Sequence, residues 1–86
     1  MYQSIIKNYI KKISIEDIKN FSLKNNIFLS ESELSTIYQI IKNESIIKLL
    51  LEGHEDKVFK QYQNKFQKEN LNKIKNLFYT YKNKFL

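Results

Sequence analysis

The chain has 86 residues, a formal net charge of +6 at pH 7, and 42% hydrophobic residues, including 6 tyrosines and 6 phenylalanines. This length suits one domain with a core that is only just sufficient, and so apolar a composition excludes a disordered chain. The absence of cysteine excludes disulfides and thiolate metal sites, and the single glycine excludes a glycine-rich phosphate-binding loop.

The first two predicted helices are separated by a capping signal. Apolar residues at helical spacing predict a helix over residues 2–12, with lysines on its opposite face. Ser14 can then accept a hydrogen bond from the next first turn, while Asp17 stands at the reciprocal position of a capping box. We predict this second helix over residues 15–25, with Ile18 and Phe21 buried. It should end at the asparagine pair 25–26, because asparagine tolerates the left-handed conformation.

A second capping box and a polar break predict the next two helices. Ser30 is followed three residues later by Glu33, the preferred capping-box pair. The third helix therefore covers residues 31–43, after a short extended connector at 27–29. A break near Asn43 starts a fourth helix over residues 44–52, which ends at Gly53.

The C-terminal third contains two apolar stripes that are out of phase. Val58, Phe59, Tyr62 and Phe66 form one stripe, and residues 71–85 form the other, with Leu71, Ile74, Leu77, Phe78 and Tyr81 at core positions. One straight helix cannot bury both stripes against one core, so we predict a break near residues 68–70. The whole chain, residues 1–86, is predicted to be a single all-α domain, a compact bundle of five to six short helices.

Cap and core residues follow one another in a fixed order along most of the chain. That order is Ile13-Ser14, Glu16-Asp17-Ile18, residues 26–30, Ile37, Ile41-Lys42-Asn43, Leu77-Phe78 and Tyr81. It resembles a family of short helical proteins of unknown function from low-G+C Gram-positive bacteria and their wall-less relatives, most closely over residues 5–51. The resemblance implies a compact helical bacterial protein and transfers no active site.

The residues that could carry catalysis are too few and too poorly grouped. His54 is the only histidine, and the acidic residues next to it in the sequence would point in different directions on a helix. Neither a general base nor a metal site is therefore predicted. Ser14 and Ser30 have capping roles, and no nucleophile elbow is present. We predict no enzyme activity, no cofactor and no metal.

Charge is distributed unevenly along the chain. Residues 57–86 carry eight lysines against Glu69 alone and hold seven of the twelve aromatic residues, a combination that can form a nucleic-acid surface. The candidate surface for an anionic partner consists of Lys57, Lys60, Lys65, Lys68, Lys73, Lys75, Lys82 and Lys84. The alternative is a border of solvated lysines around a core stripe, in a lysine-rich composition typical of an AT-rich genome. Residues 16–56 are acidic, and neutralising Glu31 or Glu33 there is predicted to leave nucleic-acid binding unchanged or to improve it.

These observations favour a small cytoplasmic interaction module that binds a protein partner or itself. The absence of a secretory signal and of a 20-residue apolar stretch indicates the cytoplasm and argues against a membrane partner. Non-specific nucleic-acid binding is the alternative, since the absence of arginine removes the commonest specific contact with guanine. Apolar residues outside the main stripes could support self-association, namely Leu23, Phe28, Ile40, Leu49 and Tyr79.

Overall fold

The computed structural model describes the backbone of residues 2–85 and the side chains of residue 5 and residues 7–84. Over these residues it contains six α-helices and one 3₁₀ turn, and no strand, so the predicted all-α class is correct. The helices are α1 (Tyr2–Lys11), α2 (Ile15–Lys24), α3 (Glu31–Lys42), α4 (Glu44–Leu51), α5 (Glu55–Tyr62) and α6 (Lys68–Phe85), with the 3₁₀ turn at Gln63–Lys65. Within the described part of the chain, no helix combines the length and apolarity needed to cross a membrane.

Both predicted capping boxes are present. The Ser14 hydroxyl accepts a hydrogen bond from the Asp17 amide at 3.1 Å, and the Asp17 carboxylate accepts one from the Ser14 amide at 3.0 Å. Ser30 and Glu33 form the same pair of bonds, at 3.1 and 2.9 Å. These reciprocal bonds satisfy first-turn donors and start α2 and α3 where the sequence predicted. At the end of α2, Asn26 takes the left-handed conformation with φ of 59°.

Two further polar contacts join α1, α3 and α4. The Asn43 side chain accepts hydrogen bonds from the amides of Ser45 and Ile46, so the predicted break at Asn43 is the N-cap of α4. The Lys42 ammonium donates to the carbonyls of Ile10 and Lys11, at 3.1 and 2.8 Å. A cation at these carbonyls of the last turn stabilises the C-terminus of α1 and joins it to α3.

The break before the last helix lies earlier than predicted. The chain leaves α5 at Tyr62, turns through Gln63–Lys65 and is extended at Phe66, where φ is −127° and ψ is 148°. α6 already begins at Lys68, within the segment that the sequence predicted to be the break. The reason is a long-range cap: the Gln67 amide donates to the Glu33 carboxylate at 2.9 Å. No local pattern could show that a carboxylate on α3 starts α6.

The core is small. Its buried apolar residues are Ile27, Leu34, Ile46, Ile47, Val58 and Leu71. Phe21 and Tyr81, which were predicted to be core, are 45% and 40% exposed, so this prediction was wrong. Their rings form a tilted pair between α2 and α6, with 6.0 Å between the ring centroids. The residues predicted to lie off the stripes divide: Leu23, Phe28 and Tyr79 are exposed, whereas Ile40 and Leu49 are half-buried.

Candidate functional site

An apolar cleft lies between α2 and α6, with α3 and the connector after α2 at its floor. Its volume is about 270 Å³, and almost all of its wall is apolar. The lining residues are Ile18, Phe21, Ser22, Ile27, Leu29, Ile37, Ile74, Leu77, Phe78 and Tyr81. We call this feature the α2–α6 cleft.

The mouth of the α2–α6 cleft is aromatic. Phe21 and Tyr81 stand on opposite sides of it and expose nearly half of their surfaces to solvent. Ser22 brings a hydroxyl to the wall, but that hydroxyl donates to the Lys19 carbonyl within α2, at 2.8 Å. The cleft therefore offers apolar contact area, and the Ser22 hydroxyl in its wall is already paired.

A buried polar network holds the start of α6 over α3 and the connector. The side-chain amide nitrogen of Asn70 donates to the Glu33 carboxylate at 3.0 and 3.3 Å, and to the Phe28 carbonyl at 3.0 Å. Glu33 and Asn70 are 3% and 6% exposed. Burial alone would raise the pKa of Glu33, but donors from Ser30, Gln67 and Asn70 together bring it below its ordinary value of 4.5. Glu33 is thus a charged group that caps two helices at once.

The later part of α6 is fastened to α5. The Lys82 ammonium donates to the Glu55 carboxylate at 2.6 Å, and the Tyr79 hydroxyl donates to Asp56 at 3.3 Å. Lys82 lowers the pKa of the buried Glu55 carboxyl below 4.5 against the opposing effect of burial. Burial and the nearby Asp56 carboxylate raise the pKa of Tyr79. These contacts join the later part of α6 to α5.

Side chains join α6 to both α2 and α5. The Cα atoms of α6 come within 8 Å of those of α2, and of those of α5, at isolated points at most. The rings of Phe59 and Phe78 meet edge to face at 5.7 Å between α5 and α6, and those of Phe21 and Tyr81 lie 6.0 Å apart between α2 and α6. The Lys73 ammonium also donates to the Asn26 carbonyl, just after α2, at 3.2 Å.

Two shallow grooves continue the α2–α6 cleft on either side. One shares Phe21 with the cleft and is lined by Tyr9, Lys12, Ile13, Asp17, Asn20 and Lys24. The other shares Ile27 and Leu77 and is lined by Asn25, Asn26, Lys73, Asn76 and Thr80. Three lysines and one aspartate therefore border the continuous surface. That aspartate is engaged in its capping box, where the Ser14 amide lowers its pKa.

The lysines of the predicted anionic-partner surface divide into two groups. Lys57, Lys60, Lys65, Lys68 and Lys84 are exposed. Lys73, Lys75 and Lys82 are half-buried and make contacts within the chain: Lys73 with Asn26 and Glu69, Lys75 over the Phe59 ring at 5.5 Å, and Lys82 with Glu55. The structure therefore leaves Lys57, Lys60, Lys65 and Lys68, on α5, the 3₁₀ turn and the start of α6, available to an external anion.

The surroundings of His54 do not form a metal site in the described part of the chain. His54 is exposed at the start of α5 and makes no side-chain cap there. No group of three or more histidine, cysteine, aspartate or glutamate side chains in this part of the chain could hold a metal ion.

Sequence reasoning missed the cleft and the network beneath it. Phe21 and Tyr81 carry helical spacing that is indistinguishable from that of core residues, so no sequence signal separated them. Glu33 was identified as a local cap, but its contacts with Gln67 and Asn70 are 34 and 37 residues away along the chain. Only the packing of α6 against α3 reveals them.

No family model matches the sequence, and neither a curated protein nor a solved structure matches the chain. The resemblance to the Gram-positive family therefore stays a prediction, and the functional argument depends on the geometry of this chain.

Proposed function

We propose that this protein is a small interaction module, without enzyme activity, that binds a protein partner through the α2–α6 cleft. The observation that carries the proposal is the cleft itself: about 270 Å³ of open apolar space with two exposed aromatic rings at its mouth. Contiguous exposed apolar surface marks interaction sites in small proteins. Aromatic residues at the centre of such a surface supply much of the binding energy.

The total surface supports the same proposal. The chain exposes 6443 Å², whereas a folded monomer of 10.4 kDa exposes about 5,400 Å² by size scaling. The excess of about 1,000 Å² is close to the roughly 800 Å² that each partner buries in a standard interface. A chain with so small a core gains stability when a partner covers such surface. We place this function in the bacterial cytoplasm, which the cysteine-free composition and the family resemblance support.

Nucleic-acid binding is the second candidate function. It is favoured by the exposure of Lys57, Lys60, Lys65 and Lys68 along α5, the 3₁₀ turn and the start of α6. Such a surface would bind phosphates without reading sequence, because lysine neutralises backbone charge and the chain has no arginine.

Capture from native lysate, treated with nuclease, tests the first function against the second. The tagged chain is compared with Phe21→Gln at the cleft mouth and with Phe28→Gln, the same substitution at a residue that is 69% exposed outside the cleft. We expect a protein that survives nuclease treatment and is lost with Phe21→Gln only. Capture that disappears with nuclease, or that is equal for both variants, would contradict the proposed function.

A further inference from the structure

We propose that the occupant of the α2–α6 cleft is an amphipathic α-helix of the partner protein, with acidic residues beside its apolar face. This inference rests on the proposed function and specifies its partner. Two features of the described surface support it: the lack of open hydrogen-bonding groups in the wall, and the sign of the bordering charges.

The wall selects a helix over an extended peptide. An extended segment must find partners for its backbone amides and carbonyls, and it does so by adding to the edge of a sheet. Residues 2–85 contain no strand, and the Ser22 hydroxyl is already paired within α2. A helix satisfies its own backbone bonds and can bury apolar side chains at positions i, i+3, i+4 and i+7 without that cost.

The border selects an acidic helix. On one side of the cleft, Lys73 is already paired with Glu69 at 3.5 Å. Lys12 and Lys24 line the groove on the other side, where Asp17 is the one acidic lining residue and its carboxylate accepts the Ser14 amide. Glutamate or aspartate flanking the apolar face of an incoming helix would meet these lysines, which raises both association rate and specificity.

The same features disfavour two other occupants. A second copy of the chain would bring the same lysines and the same net charge of +6, so like charges would oppose its approach. A small apolar ligand requires a pocket that encloses it, whereas the cleft continues into open grooves.

Direct titration with synthetic helices tests the proposal. The probe is a fluorescein-labelled peptide of about 18 residues, with leucines at helical spacing on one face and glutamates beside them. One control peptide carries lysine in place of each glutamate, and another carries glutamine in place of each leucine. We expect the acidic peptide to bind with a Kd of about 1–100 μM and both controls at least about tenfold more weakly. The advantage over the lysine peptide should shrink as salt is raised.

Matched variants of the protein locate the binding. Phe21→Gln and Lys24→Glu should each weaken the acidic peptide by about fivefold or more. Phe28→Gln and Lys48→Glu change the same residue types on exposed positions outside the cleft and its grooves, and should leave the affinity within about twofold. Circular dichroism establishes that every variant remains folded.

The outcomes separate this inference from the proposed function. Equal affinity for acidic and basic peptides, or weakening by Phe28→Gln as much as by Phe21→Gln, would overturn the acidic-helix occupant. Phe21-dependent capture of a lysate protein, combined with no binding of the acidic peptide, would overturn the occupant and leave the proposed function standing. A concentration-dependent dimer in sedimentation that Phe21→Gln abolishes would show that the occupant of the cleft is a second copy of the chain and not a partner helix. Displacement of the labelled peptide by a fatty acid at the same concentration would show that the occupant of the cleft is a small amphiphile and not a helix.

Discussion

Removing the Glu33 carboxylate should destabilise the fold strongly, because this one group is the acceptor for donors on two helices. Its oxygens accept hydrogen bonds from the Ser30 and Gln67 amides, both at 2.9 Å, and from the Asn70 side chain. A hydrogen bond to a charged acceptor contributes about 1.5–3 kcal/mol, and a buried donor left unpaired adds its own cost. Three such bonds are not additive, so we expect Glu33→Ala to lower the free energy of unfolding by about 3–4 kcal/mol.

Urea unfolding followed by circular dichroism measures this change. A domain of this size is stabilised by about 4–13 kcal/mol in total, so Glu33→Ala removes a large share and should lower Tm by about 12–25 °C. Glu33→Gln keeps the shape of the side chain but replaces one acceptor oxygen with an NH₂ group, which cannot accept from the donors around it. It should lower the free energy of unfolding by about 2 kcal/mol. The matched control is Glu31→Gln, an exposed glutamate in the same helical turn, which should change stability by less than about 0.5 kcal/mol.

The pH dependence gives an independent check. The pKa of Glu33 in the folded state lies below its ordinary value of 4.5, so its contribution is fully present at neutral pH and is lost as the pH falls through the folded-state pKa. The difference in stability between the natural chain and Glu33→Gln should therefore narrow in acid. Equal stability of Glu33→Gln and Glu31→Gln at neutral pH would refute the two-helix cap.

Three further predictions concern caps, ion pairs and lysines. Ser30→Ala should lower the free energy of unfolding by about 1 kcal/mol, because the Glu33 amide loses its acceptor; Ser32→Ala, exposed in the same turn, is the control, and a zero effect of Ser30→Ala would contradict the cap. Lys82→Gln should cost about 1–3 kcal/mol at neutral pH by stranding the buried Glu55 carboxylate. The pairing lowers the folded-state pKa of Glu55, so that cost should shrink as the pH falls through this lowered pKa, and a pH-independent cost would contradict the pairing. If the exposed lysines bind phosphates, a log–log plot of duplex DNA affinity against salt should have a slope of about −3 to −4. That slope should flatten when four of these lysines are changed to glutamine, namely Lys57, Lys60, Lys65 and Lys68. Failure to retard DNA at low salt would rule out nucleic-acid binding.

The helix starts were predictable because their signals are local. The boxes at Ser14 and Ser30 place donor and acceptor three residues apart, so spacing alone identifies them. Asn43 was predicted as a break and caps α4 through its own side chain. In each case the chemistry that starts the helix lies within one turn of the start itself.

The start of α6 and the α2–α6 cleft were not predictable, because both depend on which helices meet. α6 begins where a carboxylate from α3 reaches the Gln67 amide, a contact that spans 34 residues. Phe21 and Tyr81 have the periodic spacing of core residues, yet both stay exposed at the mouth of the cleft. Periodicity identifies the face that is apolar; it does not show whether another helix covers that face.

Stability and binding are linked in this architecture. The network around Glu33 and Asn70 fixes the start of α6 over the connector, and therefore sets the distance between the two walls of the α2–α6 cleft. A variant that weakens this network should reduce partner affinity even though neither residue lines the cleft. Binding should in turn raise the Tm of the natural chain, since a partner that binds only the folded state stabilises it.

Methyl NMR of the isoleucine residues tests the role of the α2–α6 cleft most directly. Four isoleucines lie in its wall, and others lie elsewhere in the described structure, for example Ile40 and Ile46. The four in the wall are Ile18, Ile27, Ile37 and Ile74. On adding the acidic helical peptide, we predict that the δ1-methyl signals of these four shift in proportion to occupancy while those of Ile40 and Ile46 stay in place. Shifts confined to isoleucines outside the wall, or an unchanged spectrum at saturating peptide, would contradict the cleft as the binding surface.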